Sequence, residues 1–131
     1  MPTAIKPFLM FEGAAEEAMS LYVSLVRDSR VVSVDRYGAG EAGREGTVRL
    51  ARFTLAGHAM MCIDSPGAHA FTFTPSMSLF VECESADELD AAFARLAEGG
   101  QVLMPAGDHG FSARFGWVSD RFGVSWQLNF A

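Results

Sequence analysis

Residues 76–104 read SMSLFVECESADELDAAFARLAEGGQVLM. Leu79 and Val81 alternate with Ser78, Phe80 and Glu82, a period of two that predicts a strand over Ser76–Cys83. Ser85 and Glu88 then form S-A-D-E, a capping box that opens a helix by satisfying its first backbone N–H groups. Leu89, Ala92, Phe93 and Leu96 are the buried stripe of that helix, and Gly99-Gly100 ends it. Gln101–Met104 resumes as a strand.

The same order occurs upstream. A strand over Lys6–Phe11 leads into a helix from Ala14 to Arg27, with Ala18, Leu21, Tyr22 and Leu25 on one face. Glu16 and Glu17 open it and Arg27 closes it, the charge order that suits a helix dipole. Strands follow over Val31–Tyr37, Val48–Leu55 and His58–Asp64, the last two joined by a tight turn at Ala56-Gly57. After the second helix come Gln101–Met104, a strand near Gly116–Ser119, and Val124–Phe130. The glycine-rich segment Gly38–Gly46 and the stretch Asp64–Pro75 are loops. The expected class is α+β: two βαβββ modules, about 1–65 and 66–131, forming one domain. Each module is a mixed sheet with a helix behind it, and side by side they enclose a partly open, barrel-like cavity suited to a small molecule.

The 131 residues are 50% hydrophobic and 20% charged, an ordinary globular mix. Sixteen acidic against ten basic residues leave a formal charge of −6, and Lys6 is the only lysine, which argues against nucleic acid as a partner. No apolar run reaches the roughly 18 residues of a membrane span. The opening residues lack the basic and apolar regions of a secretory signal, so the expected location is cytoplasmic. Cys62 and Cys83 lack disulfide-framework or CxxC spacing and each sits in an apolar run.

Four blocks carry a family resemblance: Lys6-Pro7-Phe8-Leu9-Met10-Phe11 with Glu12–Ala18, Leu55-Ala56-Gly57-His58, Phe71–Leu79, and Phe115-Gly116-Trp117-Val118-Ser119-Asp120-Arg121-Phe122-Gly123-Val124-Ser125-Trp126-Gln127-Leu128. Together they resemble the PhnB-like branch of the vicinal oxygen chelate superfamily, which includes glyoxalase I, extradiol dioxygenases and bleomycin-resistance proteins. The branch is often labelled a 3-demethylubiquinone 3-methyltransferase domain. The sequence offers no glycine-rich strand-to-helix loop for an adenosyl cofactor, so methyl transfer is rejected.

The resemblance implies a divalent metal held by four His or Glu side chains. Carried over by motif, those positions fall on Lys6, Cys62, Ser76 or Ser78, and Gln127, a set that does not suit a divalent cation. His58, His69 and His109 stand apart in loops and turns and do not rebuild it. No cofactor is therefore expected. Strand parity from the carried-over positions gives a lining of Lys6, Phe8 and Met10; Met60, Cys62 and Asp64; Ser76, Ser78 and Phe80; and Ser125, Gln127 and Asn129. Trp126, of opposite parity, belongs to the packing under the helices. The expected function is small-molecule binding without a catalytic metal, in a homodimer as the resemblance implies. The alternatives are an enzyme, either a metal-dependent lyase, isomerase or dioxygenase or a metal-free one using Lys6 or Cys62, and an interaction protein with a vestigial cavity.

Overall fold

The computed structural model describes residues 1–131. The chain divides into two units, Met1–His69 and Ala70–Ala131. In unit 1 the order is β1 (Phe8–Phe11), α1 (Ala15–Leu25), β2 (Arg30–Arg36), β3 (Val48–Leu55) and β4 (His58–Asp64). In unit 2 it is β5 (Ser78–Glu82), α2 (Ala86–Ala97), β6 (Gln101–Gly107), β7 (Arg114–Ser119) and β8 (Ser125–Phe130). This is the βαβββ repeat that the periodicity predicts.

Each unit has one open four-stranded mixed sheet, β1-β4-β3-β2 in the first and β5-β8-β7-β6 in the second. The last strand of each unit returns to lie parallel to its first, Leu9 against Cys62 and Leu79 against Trp126, while the other pairs are antiparallel. Helix α1 covers one face of the first sheet and α2 one face of the second. Ala15, Ala18, Met19, Leu21 and Tyr22 are the buried stripe of α1, and Leu89, Phe93 and Leu96 that of α2.

The helix ends show why the chain breaks where it does. Ser85 caps α2 by accepting from the Glu88 N–H at 3.0 Å, as the S-A-D-E motif predicts. Helix α1 has Ala14 at its cap position and no side-chain cap of its own. Asp64, at the end of β4, supplies the missing acceptor: its Oδ1 takes the Gly13 and Ala15 N–H groups at 2.7 and 3.0 Å, and its Oδ2 takes that of Val48 at 2.9 Å. Helix α1 stops at Leu25 rather than Arg27, because Val26 is already extended and Asp28 turns at φ 56°. No basic residue therefore lies in its last turn.

Other boundaries shift for local reasons. Thr74–Met77 forms a turn, so β5 begins at Ser78 and leaves Ser76 outside it. Strand β6 runs on through Pro105, which an edge strand tolerates at a register shift. Strand β7 begins at Arg114, two residues before the expected start. Gly43, in the Gly38–Gly46 loop, lies against the ring of Tyr37; a Cβ there would come within 2.3 Å of it.

Candidate functional site

The face of each sheet away from its helix is the open one, and cross-strand register identifies who stands on it. In unit 2, Trp126 and Leu128 of β8 are buried with Val118 of β7 on the α2 side. Gly116 belongs to that side too, since a Cβ on it would meet the Phe93 ring of α2 at 2.5 Å. The opposite parity forms three rows across β5, β8 and β7: Ser78–Ser125–Ser119, Phe80–Gln127–Trp117 and Glu82–Asn129–Phe115. Trp126 lies beneath α2 as expected, its Nε1 donating to Asp120 Oδ2 at 3.0 Å.

The first two rows are tied by hydrogen bonds. Trp117 Nε1 donates to Ser125 Oγ at 2.8 Å, and that hydroxyl lies 2.7 Å from Ser78 Oγ. Gln127 Nε2 donates to Ser78 Oγ at 3.2 Å, and Asn129 Nδ2 to Glu82 Oε1 at 3.3 Å. Ser125 is 1% exposed, so this relay of hydroxyls is a fixed floor. Beside it, sharing Gln127, opens a cleft of about 480 Å³ lined by Phe80, Phe111, Ser112, Phe115, Gln127, Asn129 and Ala131. Phe111 meets Phe115 edge-on at 4.9 Å between ring centroids, and Phe80 stands 6.4 Å from Phe115. His109 stacks over Phe111 at 6.3 Å while its Nε2 bonds the Pro105 carbonyl at 2.7 Å. The loop before β7 therefore forms one wall.

Of the residues singled out from sequence, Phe80, Gln127 and Asn129 line this cleft, while Ser78 and Ser125 stand on the same sheet parity and Ser78 bonds Gln127. Ser76 does not: it is exposed and its hydroxyl bonds Thr74 Oγ1 at 2.7 Å. Phe111 and Phe115 were not among the residues parity selects, although the alternation of Phe115 with Gly116 held the signal. In unit 1, Phe8 and Met10 share the open face with Met61 and Ile63. Lys6 is exposed ahead of β1.

Met60, Cys62 and Asp64 require a correction of face. Parity from a carried-over Cys62 puts all three on the open side, yet they are 3%, 0% and 2% exposed. Asp64 bonds the N-terminus of α1, so its whole parity set lies beneath that helix. The physical reason is that the carboxylate is anchored by the Gly13 and Ala15 N–H groups at the start of α1, together with that of Val48. Lys6 and Cys62 therefore do not form a pair.

Burial, with the Asp64 charge second, pushes the Cys62 thiol up to about 12; burial, with Glu88 and Glu82 behind it, pushes that of Cys83 up to about 11. Both cysteines are free and buried. The native protein is expected to resist iodoacetamide at pH 8, whereas urea-unfolded chain should alkylate at both sites. The linkage has a definite sign. Unfolded thiols ionise near ~8.5 and native ones only near about 11 and about 12, so stability is undiminished below pH ~8.5 and falls as pH rises through that window. Rapid native alkylation, or flat stability across it, would contradict this placement.

The donor set does not fit the divalent metal that the superfamily implies. No group of three His, Cys, Asp or Glu side chains comes together that could hold an ion. Cys62 lies beneath α1, Ser76 lies outside β5, and Gln127 offers a neutral amide. No helix is long and apolar enough to cross a membrane.

Comparison with known proteins agrees with this architecture. The profile of the 3-demethylubiquinone-9 3-methyltransferase family matches residues 3–129. No curated protein matches the chain. Among solved structures, a PhnB protein of Bacillus cereus bearing the same methyltransferase name is 54% identical, with a TM-score of 0.96 over 98% of this chain and 100% of its own. A protein from Pseudomonas aeruginosa is 30% identical at a TM-score of 0.83, covering 98% of both chains. The fosfomycin resistance protein FosX of Listeria monocytogenes, solved with Mn(II) and a dihydroxypropylphosphonic acid, shares the fold. Its TM-score is 0.64 at 12% identity, over 100% of this chain and 93% of its own. The chain therefore belongs to the PhnB-like family that carries the 3-demethylubiquinone-9 3-methyltransferase name, and it shares its fold with the fosfomycin resistance protein.

Proposed function

We propose that this protein binds a small organic molecule in the unit 2 cleft and does so without a catalytic metal. One observation carries the reading: three phenyl rings and two amide side chains line one cleft, with the Gln127 amide held by the Ser78–Ser125 hydroxyl pair. Apolar walls with a few placed polar groups are the usual make-up of a small-molecule site. In this reading Phe80, Gln127 and Asn129 touch the ligand, while Ser78, backed by Ser125, positions the Gln127 amide and Glu82 that of Asn129. Phe8 and Met10 offer a second apolar face in unit 1.

The methyltransferase name is not part of the proposal. Each sheet here has one parallel pair among antiparallel ones, which is not the doubly wound parallel sheet on which adenosyl cofactors sit. The enzyme reading through Cys62 loses its nucleophile, because a protonated thiol under a helix cannot attack. A homodimer belongs to the proposal on the strength of exposed valines on edge strands, Val31 and Val32 in β2 and Val102 in β6. A cytoplasmic location belongs to it as well, in keeping with two free thiols.

Titration with small neutral aromatics such as phenol, indole and naphthol, followed by Trp117-sensitive fluorescence and melting temperature, tests the binding. Saturable binding is expected, with a strong loss on Phe80→Ala. That ring is 56% exposed, so its removal should cost the fold less than about 1 kcal/mol, in contrast to about 3–5 kcal/mol for a fully buried phenylalanine. Binding that survives both Phe80→Ala and Gln127→Ala would sink the proposed site. Stoichiometric zinc, nickel or manganese retained after dialysis would sink the metal-free part.

A further inference from the structure

The polar groups of the cleft share one sign. Asn129 must turn its amide N–H₂ toward Glu82, since a carboxylate oxygen only accepts, and this leaves the Asn129 carbonyl oxygen for the cleft. Gln127 likewise spends its amide N–H₂ on Ser78 Oγ, leaving Oε1. Ser112 donates its hydroxyl proton to the Arg114 carbonyl, leaving lone pairs. All three thus present acceptors to a ligand, between rings whose faces carry negative quadrupole density.

No cation offsets this. The lining holds no Arg or Lys. Unit 2 has eight Asp and Glu against three Arg, a formal charge of −5 within the chain's −6. Arg114 is engaged by Asp90 at 2.6 Å, Arg121 lies over the Phe122 ring, and Arg95 is in the last turn of α2.

We infer that the cleft selects organic cations: an ammonium or amidinium on a flat apolar body, its N–H groups donating to Gln127 Oε1 and Asn129 Oδ1 and its face set against Phe80, Phe111 and Phe115. The inference rests on the proposed binding role of this site and adds the ligand's chemical class. A carboxylate or phosphonate would meet only lone pairs and ring faces, losing hydration with nothing to replace it. A cation gains the ring quadrupoles, the carbonyl dipoles and the field of Glu82.

Benzamidine, benzamide and benzoate have nearly one shape and differ in charge, so calorimetric titration of the three at low salt is the test. Benzamidine is expected to bind about tenfold tighter than benzamide, with benzoate weaker still. Gln127→Glu should widen the gap between benzamidine and benzoate by about tenfold, and Phe111→Ala should weaken benzamidine by about fivefold. Phe111 is 63% exposed, so the second variant keeps the fold. Benzoate binding as well as benzamidine, or discrimination unmoved by Gln127→Glu, overturns the cation assignment. Equal binding of benzamide and benzamidine overturns it too, while leaving the proposed function standing. If none of these probes and no neutral aromatic binds, the proposed function falls, and the cation assignment with it.

Discussion

Asp120→Ala is expected to cost about 3–5 kcal/mol in urea denaturation and to abolish ligand binding in the unit 2 cleft. The carboxylate is 3% exposed. Its Oδ1 accepts from the Phe122 and Val124 N–H groups at 2.9 and 3.0 Å, and its Oδ2 from Trp126 Nε1 at 3.0 Å. Alanine takes the carboxylate away from all three donors, and leaving a buried donor unmade costs more than the bond itself contributes. The Asp120–Gly123 turn launches β8, which carries Gln127 and Asn129 to the cleft, so loosening the turn displaces the amides. Asp120→Asn is the informative control. Its amide oxygen can still serve the two backbone N–H groups, but its N–H₂ then faces the indole N–H. Asparagine should therefore cost less in a Trp126→Phe background than in the native one. If the costs simply add, the indole bond is not what anchors the carboxylate.

Asp64→Ala should have a loss of similar size, about 3–5 kcal/mol, for a related reason in the other unit. Its carboxylate joins three segments that sequence separates: the entry to α1, the start of β3 and the end of β4. Because Ala14 offers no cap, removing Asp64 also removes the carboxylate that accepts from the Gly13 and Ala15 N–H groups at the N-terminus of α1. Loss of far-ultraviolet helical signal and a lowered urea midpoint are the readouts. A loss below about 1 kcal/mol would mean that water replaces the carboxylate, and that this end of α1 is open to solvent.

These two acids also mark where reading the sequence succeeds and where it stops. In β8 the open-face residues Ser125, Gln127 and Asn129 alternate with Trp126 and Leu128, so polarity itself reports the face. Gln127 and Asn129, two of the residues expected from sequence, stand at the unit 2 cleft on that parity. Strand β4 gives no such report. Ala59, Met60, Met61, Cys62 and Ile63 are apolar on both sides, and either parity satisfies the pattern. What decides it is Asp64, whose partners at Gly13, Ala15 and Val48 are distant in the chain and carry no motif. The helices were legible because a stripe of period 3.6 and a capping serine are local signals. Phe111 was not, because it acts from a loop whose path depends on His109 and Pro105. The metal positions carried over by resemblance depended on register, and at Cys62 register was the ambiguous quantity.

The parallel pairing of first and last strands has a consequence for synthesis on the ribosome. Strand β1 has one sheet neighbour, β4, and β5 has one, β8. Leu9 therefore emerges long before Cys62, and Leu79 long before Trp126, and neither early strand has a ladder to join until its unit is nearly finished. The antiparallel meander of each unit can pair as it is made, whereas the short apolar segment ahead of it must wait for the final strand. Each unit thus stays incomplete until its last residues are translated, and a nascent chain halted between β3 and β4 carries Phe8–Phe11 as a strand with nothing to pair with.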